Sequence, residues 1–142
     1  MYTVGDVMTR KVVALDETQD LATAKDILSL ARIRHLPVVR NGRLVGLLTQ
    51  RDLLRLMSNQ PEAIARGTLA REAMNRRLRT VRAATPLRTA IRLLLQNKYG
   101  CLPVVSGDGT LVGILTEADL ARLAGELIAQ REATNRQPLS AA

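Results

Sequence analysis

Aromatic residues are almost missing from this chain. Tryptophan and phenylalanine are absent, and tyrosine occurs twice, at Tyr2 and Tyr99. Proteins that hold single-stranded nucleic acid stack bases on aromatic side chains, so the shortage counts against that class. Cysteine is as scarce. Cys101 stands alone, which excludes an intramolecular disulfide and a cysteine-rich zinc site. Between Gly100 and Leu102 it reads as a small core residue. His35 is the one histidine. A lone imidazole cannot build a metal cluster, and no acid–hydroxyl–histidine spacing accompanies it. Beside a core strand it reads as a packed or hydrogen-bonded residue. No Gly-x-x-x-x-Gly-Lys phosphate loop is found. No apolar run approaches the roughly 18 residues of a membrane span. Met1 to Asp6 lacks the basic-then-apolar pattern of a secretory signal. These absences predict a cytoplasmic protein that is neither an enzyme nor a membrane protein.

What is present is a chain of 142 residues, 46% hydrophobic, enough for one compact core. The net charge of +8 is unevenly spread. Arg66, Arg71, Arg76, Arg77, Arg79, Arg82, Arg88, Arg92 and Lys98 crowd residues 60–100, opposed there only by Glu62 and Glu72. Such a bias suits anionic partners, or it is a solvated arginine-rich face.

The most informative feature is a repeat. Gly46-Leu47-Leu48-Thr49-Gln50-Arg51-Asp52 is echoed by Gly113-Ile114-Leu115-Thr116-Glu117-Ala118-Asp119. Setting Met8 on Met74 places Leu15 on Val81, Leu21 on Leu87, Ala24 on Ala90, Leu28 on Leu94 and Pro37 on Pro103. The register then slips once, where Ser106-Gly107-Asp108-Gly109 is one residue longer than Arg40-Asn41-Gly42. A slip in a turn is what a duplicated fold tolerates. Each unit reads as a helical turn (4–8; 68–74), a strand (12–15; 79–82) and a helix. Leu21, Ala24, Leu28 and Ala31 set the first helix; Leu87, Ala90 or Ile91, and Leu94 set the second. Thr85-Pro86 predicts an N-cap with proline in the first helical position, and Asn97 and Gly100 mark the end. Two strands follow in each unit, around Asn41-Gly42 and around the Gly-Asp-Gly turn. Their continuous apolar runs predict helices on both faces. A last helix starts at Gln50 or Glu117. The order predicts an α/β (α+β) fold: tandem β-α-β-β-α repeats docked about a pseudo-twofold axis. The repeats span 1–58 and 68–132, joined by a linker at 59–67 and followed by a frayed tail at 133–142.

These residues resemble the paired CBS (cystathionine β-synthase) domains that form a Bateman module. The resemblance rests on Val7-Met8-Thr9, His35-Leu36-Pro37-Val38-Val39 and Gly46 to Asp52 in the first unit. In the second it rests on Ala73-Met74-Asn75, Cys101-Leu102-Pro103-Val104-Val105 and Gly113 to Asp119. It covers nearly all of the chain except the tail, so the sequence looks like a stand-alone module. The resemblance implies two clefts that take adenosine compounds: AMP, ADP, ATP or S-adenosylmethionine, with or without Mg²⁺. It implies that Thr49 and Asp52 hold the ribose in one cleft, and Thr116 and Asp119 in the other. It places adenine against the first strand and the step before the proline: Val13, Leu36 and Pro37, and Val81, Leu102 and Pro103. It also implies pairing into flat homodimers and an unidentified protein partner to receive the signal.

The chemistry allows this transfer without requiring it. A carboxylate accepts two hydrogen bonds from a vicinal diol, and a helix N-terminus favours the anion. Yet Thr-x-x-Asp before an apolar helix is also a capping box, worth about 1 kcal/mol. Aspartate reaches back to the cap less readily than glutamate, which leaves its carboxylate more available. Phosphate would call on Arg10 and Lys11, Arg76 and Arg77, and Arg51, whose counterpart is Ala118. The basic, interrupted stretch Arg79 to Arg82 is a departure that puts the second adenine pocket in doubt. Leu53, Leu54, Leu56, Leu120, Leu123 and Leu127 suit either a dimer contact or the core. The competing readings are nucleic-acid binding through the basic 60–100 face and a structural interaction module without ligand.

Overall fold

The computed structural model describes residues 1–97 and 99–140; Lys98 and the tail residues Ala141 and Ala142 lie outside the described residues. The first repeat comprises α1 (Val4–Val7), β1 (Leu15–Asp16), α2 (Leu21–Leu30), β2 (His35–Arg40), β3 (Arg43–Thr49) and α3 (Gln50–Asn59). The second comprises α4 (Ala70–Ala73), α5 (Leu87–Asn97), β4 (Cys101–Val105), β5 (Leu111–Thr116) and α6 (Glu117–Ser140). β1 runs parallel to β2, and β2 pairs antiparallel with β3; β4 and β5 form the matching hairpin. Asn41 and Gly42 both take positive φ, 51° and 80°, which a two-residue hairpin turn requires.

The first strands are shorter than the sequence predicts. In the first unit only Leu15 and Asp16 pair, with Val38 and Val39. In the second, Val81 alone bridges Val104. The valines at 12 and 13 leave the sheet, and the arginines flanking Val81 face solvent. Helix α5 also starts differently. Among the described residues the Thr85 hydroxyl accepts no hydrogen bond from the helix; it accepts the Arg82 N–H at 3.0 Å and closes the preceding turn. The orphan N–H of Leu87 instead donates to the Tyr2 carbonyl at 3.0 Å. Ala31 is the exposed C-cap of α2 rather than part of its buried stripe. α6 continues beyond Glu132 to Ser140, with residues 124–136 exposed all round. Among the described residues no helix is long and apolar enough to cross a membrane.

Two hydrophobic cores result, and their membership crosses the sequence repeats. Leu15, Leu21, Leu28, Leu36, Val38, Leu48 and Leu53 of the first repeat are completed by Ala70 and Met74 of the second. Val81, Leu87, Leu94, Leu102, Val104 and Leu115 are completed by Val4 and Met8 of the first. Each N-terminal arm is thus bonded to the other repeat. Val4 and Gly5 donate to the carbonyls of Thr85 and Ala83, both at 2.8 Å. Ala70 and Arg71 donate to those of Gln19 and Glu17, at 2.7 and 3.0 Å. Gly46 and Gly113 make room for the crossing. A Cβ on either would lie 2.3 Å from the Met74 sulfur or 2.6 Å from the Met8 sulfur.

Helices cover one face of each hairpin. The other face, bearing His35 and Pro37 on β2, turns toward the second repeat, where Gly100 packs against the His35 ring. This is the correction to an expectation of helices on both sides. The hairpin tips are joined as well, Leu44 donating to Gly109 at 3.1 Å and Leu111 to Gly42 at 3.0 Å.

Candidate functional site

Both hairpins end on a threonine from which a helix departs at the next residue, so Thr49 caps α3 and Thr116 caps α6. The Thr49 hydroxyl accepts the Asp52 N–H at 3.0 Å, and the Thr116 hydroxyl accepts the Asp119 N–H at 3.4 Å. There the likeness ends. The Asp119 carboxylate reaches back, its Oδ2 accepting the Thr116 N–H at 2.9 Å and the Thr116 hydroxyl at 3.2 Å. Its Oδ1 accepts the Thr9 hydroxyl at 2.8 Å and Arg122 Nη1–H at 3.1 Å. Asp119 is 2% exposed. Asp52 is half-buried, and no hydrogen bond to its carboxylate is found among the described residues. The expectation that a shorter aspartate leaves its carboxylate more available therefore describes Asp52 and not Asp119.

The crossing of the arms explains the difference. The arm after α1 pairs with β5, Thr9 and Ile114 exchanging backbone hydrogen bonds at 2.9 and 3.0 Å, which sets the Thr9 hydroxyl over Asp119. At the matching place the second arm carries Asn75, whose Oδ1 instead accepts the Arg77 N–H at 3.0 Å.

Continuing along the arm, residues 11–13 form one wall of a cleft of about 520 Å³, within the ~300–1,000 Å³ usual for small-molecule sites. Its apolar surface comes from Val12, Val13, Ile33, Pro37 and Ile114. Lys11, Arg32, Arg34 and Arg122 supply positive charge, and Glu117 and Asp119 negative charge. Arg32 occupies the left-handed region at φ 54°, at the end of α2. There Ile33 donates to Leu28 at 3.1 Å and Arg32 to Ser29 at 3.3 Å, the pairing that usually selects glycine at this position. A non-glycine residue there costs about 1 kcal/mol, and the turn sets an arginine at the cleft wall. His35 also lines the cleft, and burial holds its pKa below the ordinary value. Glu117 pulls that pKa upward and Arg34 pushes it further down. Burial pushes the Cys101 thiol up to about 12, so it is protonated at neutral pH. A smaller cavity of about 310 Å³ runs along α3, lined by Asp52, Arg55, Asn59 and Asn75 among others.

Of the residues the sequence singles out, Lys11, Val13, Pro37, Thr116 and Asp119 come together in the larger cleft. Asp52 lines the smaller cavity. Leu36 and Leu102 line neither; they are fully buried in the two cores. Strand alternation turns them toward the helices while His35 and Pro37 face the cleft. Val81 belongs to the second core and Pro103 is fully buried; neither lines these two cavities. Arg10 and Arg76 are committed elsewhere, donating to the carbonyls of Gly5 at 2.8 Å and Arg71 at 3.0 Å, five residues back. Arg51 and Arg77 are exposed and line neither cavity. Arg66, Arg71, Arg79, Arg82, Arg88 and Arg92 are exposed, with Arg66 paired to Glu62 at 3.4 Å; Lys98 lies outside the described residues. Leu53 is core, Leu56, Leu120 and Leu123 pack partly against the cores, and Leu54 and Leu127 are exposed.

Sequence reasoning misses Thr9, Arg32, Arg34 and Arg122 as parts of this cleft. Arg122 was within reach, since one helical turn past Asp119 puts it on the same face. Thr9 belongs to the quoted motif but carried no signal of a partner so far along the chain. Among the described residues no three His, Cys, Asp or Glu side chains cluster to hold a metal.

The match to known proteins falls on both repeats: the CBS domain model matches residues 4–59 and 70–126. The chain belongs to the CBS domain family. Among solved structures, this CBS pair superposes on AcuB from Vibrio cholerae with a TM-score of 0.85 and 34% identity, covering 94% of this chain and 97% of that one. It superposes on CBSX2 of Arabidopsis thaliana in complex with AMP with a TM-score of 0.80 and 34% identity, covering 89% and 98%. For the CBS pair of protein MJ0100 with 5′-methylthioadenosine and S-adenosyl-L-methionine the TM-score is 0.78 and the identity 26%, covering 89% and 98%. A curated relative, homoserine O-acetyltransferase of Methanohalophilus mahii, is 30% identical over 125 residues, 87% of this chain but 25% of the relative. This chain thus spans about a quarter of that protein's length.

Proposed function

We propose that this CBS pair is a non-enzymatic regulatory module that binds an adenosine-containing ligand, AMP, ADP, ATP or S-adenosylmethionine, in the larger cleft. The observation that carries the reading is that the cleft joins an apolar wall, a carboxylate–hydroxyl pair at a helix N-terminus and several cations in about 520 Å³. The AMP-bound state of CBSX2 supports the ligand class. The base packs against Val13, Pro37 and Ile114, and the ribose approaches Thr116 and Asp119. Both Asp119 oxygens are already engaged, so a ribose hydroxyl enters by replacing the Thr9 hydroxyl at Oδ1. That exchange releases the N-terminal arm from α6 and gives the ligand a differential affinity for two arrangements, which any switch needs. Asp52, with its open carboxylate, is the acceptor for a second molecule along α3. If Mg²⁺ takes part, it arrives with the ligand phosphates. The exposed Leu54, Leu127 and Ile128 supply the contact for a homodimer, and that assembly passes the state to a protein partner.

The test is thermal unfolding with AMP, ADP, ATP, S-adenosylmethionine and GTP, with and without Mg²⁺. A ligand at about 100 times its Kd adds roughly 2.7 kcal/mol, a rise of several degrees at this size. The rise is expected for adenosine compounds and is lost on widening the base pocket with Val13→Ala or closing it with Gly100→Leu. No rise with any of them sinks the reading, and a salt titration against DNA and RNA then tests the basic face.

A further inference from the structure

His35 is the one cleft residue whose chemistry changes near neutral pH. It stands on β2 with Pro37, on the face turned to the second repeat, and its ring edge lies against the bare backbone of Gly100. A Cβ at that glycine would sit 2.3 Å from Nε2, so the close approach depends on glycine. Neither ring nitrogen forms a hydrogen bond among the described residues, although the ring is half-buried and lines the cleft. The matching position in the other repeat is Cys101, fully committed to the core.

Burial favours the neutral form of the ring, and of the charges near it Glu117 opposes that more strongly than Arg34 supports it. Arg32 and Arg34 come from its own side of the fold and Lys11 from the crossing arm. α6 contributes Glu117 and Asp119, the latter already paired with Arg122 at 3.1 Å. β3 places the neutral Thr49 opposite His35, followed on α3 by Gln50 and Arg51. Before β4 come Gly100 and the phenol of Tyr99, and then the protonated Cys101 thiol. Burial is thus the main force holding the imidazole pKa below its ordinary value, with Arg34 adding to it and Glu117 opposing it. An anion entering the cleft acts in the same sense as Glu117 and raises that pKa.

We propose that His35 is a proton-linked recognition group, donating a hydrogen bond to the anionic group of the nucleotide while its other ring nitrogen takes up a proton from solvent. The proposal rests on the nucleotide reading of the same cleft. Binding of a phosphorylated ligand then tightens as pH falls from 8 toward 6, whereas an uncharged nucleoside binds with little pH dependence. The sign follows from linkage: a ligand that raises the imidazole pKa binds better to the protonated protein.

Because the chain has one histidine, its imidazole resonances can be titrated by NMR without assignment, in free protein and with AMP or adenosine. AMP is expected to move the midpoint upward and adenosine to leave it in place. Calorimetric affinities at pH 8 and pH 6 are expected to show a gain for AMP about three- to tenfold larger in wild type than in His35→Gln. The variant subtracts the titration of the phosphate itself. AMP binding with an unmoved midpoint, or an identical pH dependence in His35→Gln, overturns the proposal and leaves the nucleotide reading standing. No AMP binding at either pH overturns this proposal, and the nucleotide reading falls with it if ADP, ATP and S-adenosylmethionine also fail to bind. The wild-type NMR arm decides the matter even where the variant folds poorly.

Discussion

Asp52 and Asp119 occupy the same place in two copies of one motif, yet they have different surroundings. Asp52 sits at the start of α3 with its backbone capped and its carboxylate open. Asp119 is bonded by Thr9, Thr116 and Arg122 and is nearly sealed from water. The local sequence makes both threonines caps; the arm that passes over each aspartate decides what its carboxylate does. Thr9 offers a hydroxyl aimed across the crossing, while Asn75 turns its amide oxygen onto its own chain. A repeat thus conserves a backbone geometry while its side-chain chemistry diverges through one contact from outside.

The sharpest way to break the comparison is to delete each carboxylate. Asp119→Ala is expected to cost about 3 kcal/mol, because it strands a hydroxyl and a guanidinium that answer a buried charge. At this chain length that lowers Tm by about 6–12 °C in a calorimetric scan. Asp52→Ala is expected to stay within about 0.5 kcal/mol of wild type by the same measurement. Equal losses would show that the two carboxylates are not differently engaged. Smaller effects should come from the caps. Thr49→Ala removes one N-cap bond, about 1 kcal/mol, and Thr116→Ala should exceed it in urea unfolding because it also frees Asp119 Oδ2. The next step isolates the arm itself: Thr9→Val should cost about 1 kcal/mol and Asn75→Ala about 0.5 kcal/mol, read from the same urea midpoints.

A last contrast concerns acid. Glu17 pairs with Arg40, and that hydrogen bond holds its pKa below the ordinary value. Its counterpart in the second repeat is Ala83. A depressed carboxylate stabilises the fold above its unfolded pKa and loses that contribution as pH falls through the folded one. Stability should therefore decline below about pH 4.5, and Glu17→Gln should flatten part of that acid limb in melts taken between pH 6 and 3. Asp108 adds to the same limb, since bonds from Ser106 and Thr110 hold its pKa down, where the first hairpin has the uncharged Asn41.

Much of this architecture is legible in the sequence, and the reason is local chemistry. Asn41-Gly42 dictates a turn, the spacing of Leu21, Ala24 and Leu28 dictates a buried helical stripe, and the threonines announce the starts of α3 and α6. What escapes is non-local. Thr85-Pro86 has every mark of a cap, but the Tyr2 carbonyl, far away in sequence, takes that place for Leu87. Val12 and Val13 have strand chemistry but are drawn out of the sheet into the cleft wall. Leu36 and Pro37 are neighbours in one apolar step, and only the pleat sends one to the core and the other to the cleft. The engagement of Asp119 depends on Thr9, 110 residues earlier, and no window along the chain contains both.

The crossing of the arms also has a consequence for how the molecule comes to be folded. Its pairings are of high contact order, and loop closure must be completed before any of them is rewarded. During synthesis the first core lacks Ala70 and Met74 until the chain has passed them, and Val4 and Met8 have no seat until β5 exists. The N-terminal arm therefore waits unpaired for most of translation. Folding on this account is staggered: the first core has all its residues once Met74 is made, whereas the second cannot close around Val4 and Met8 until β5 exists.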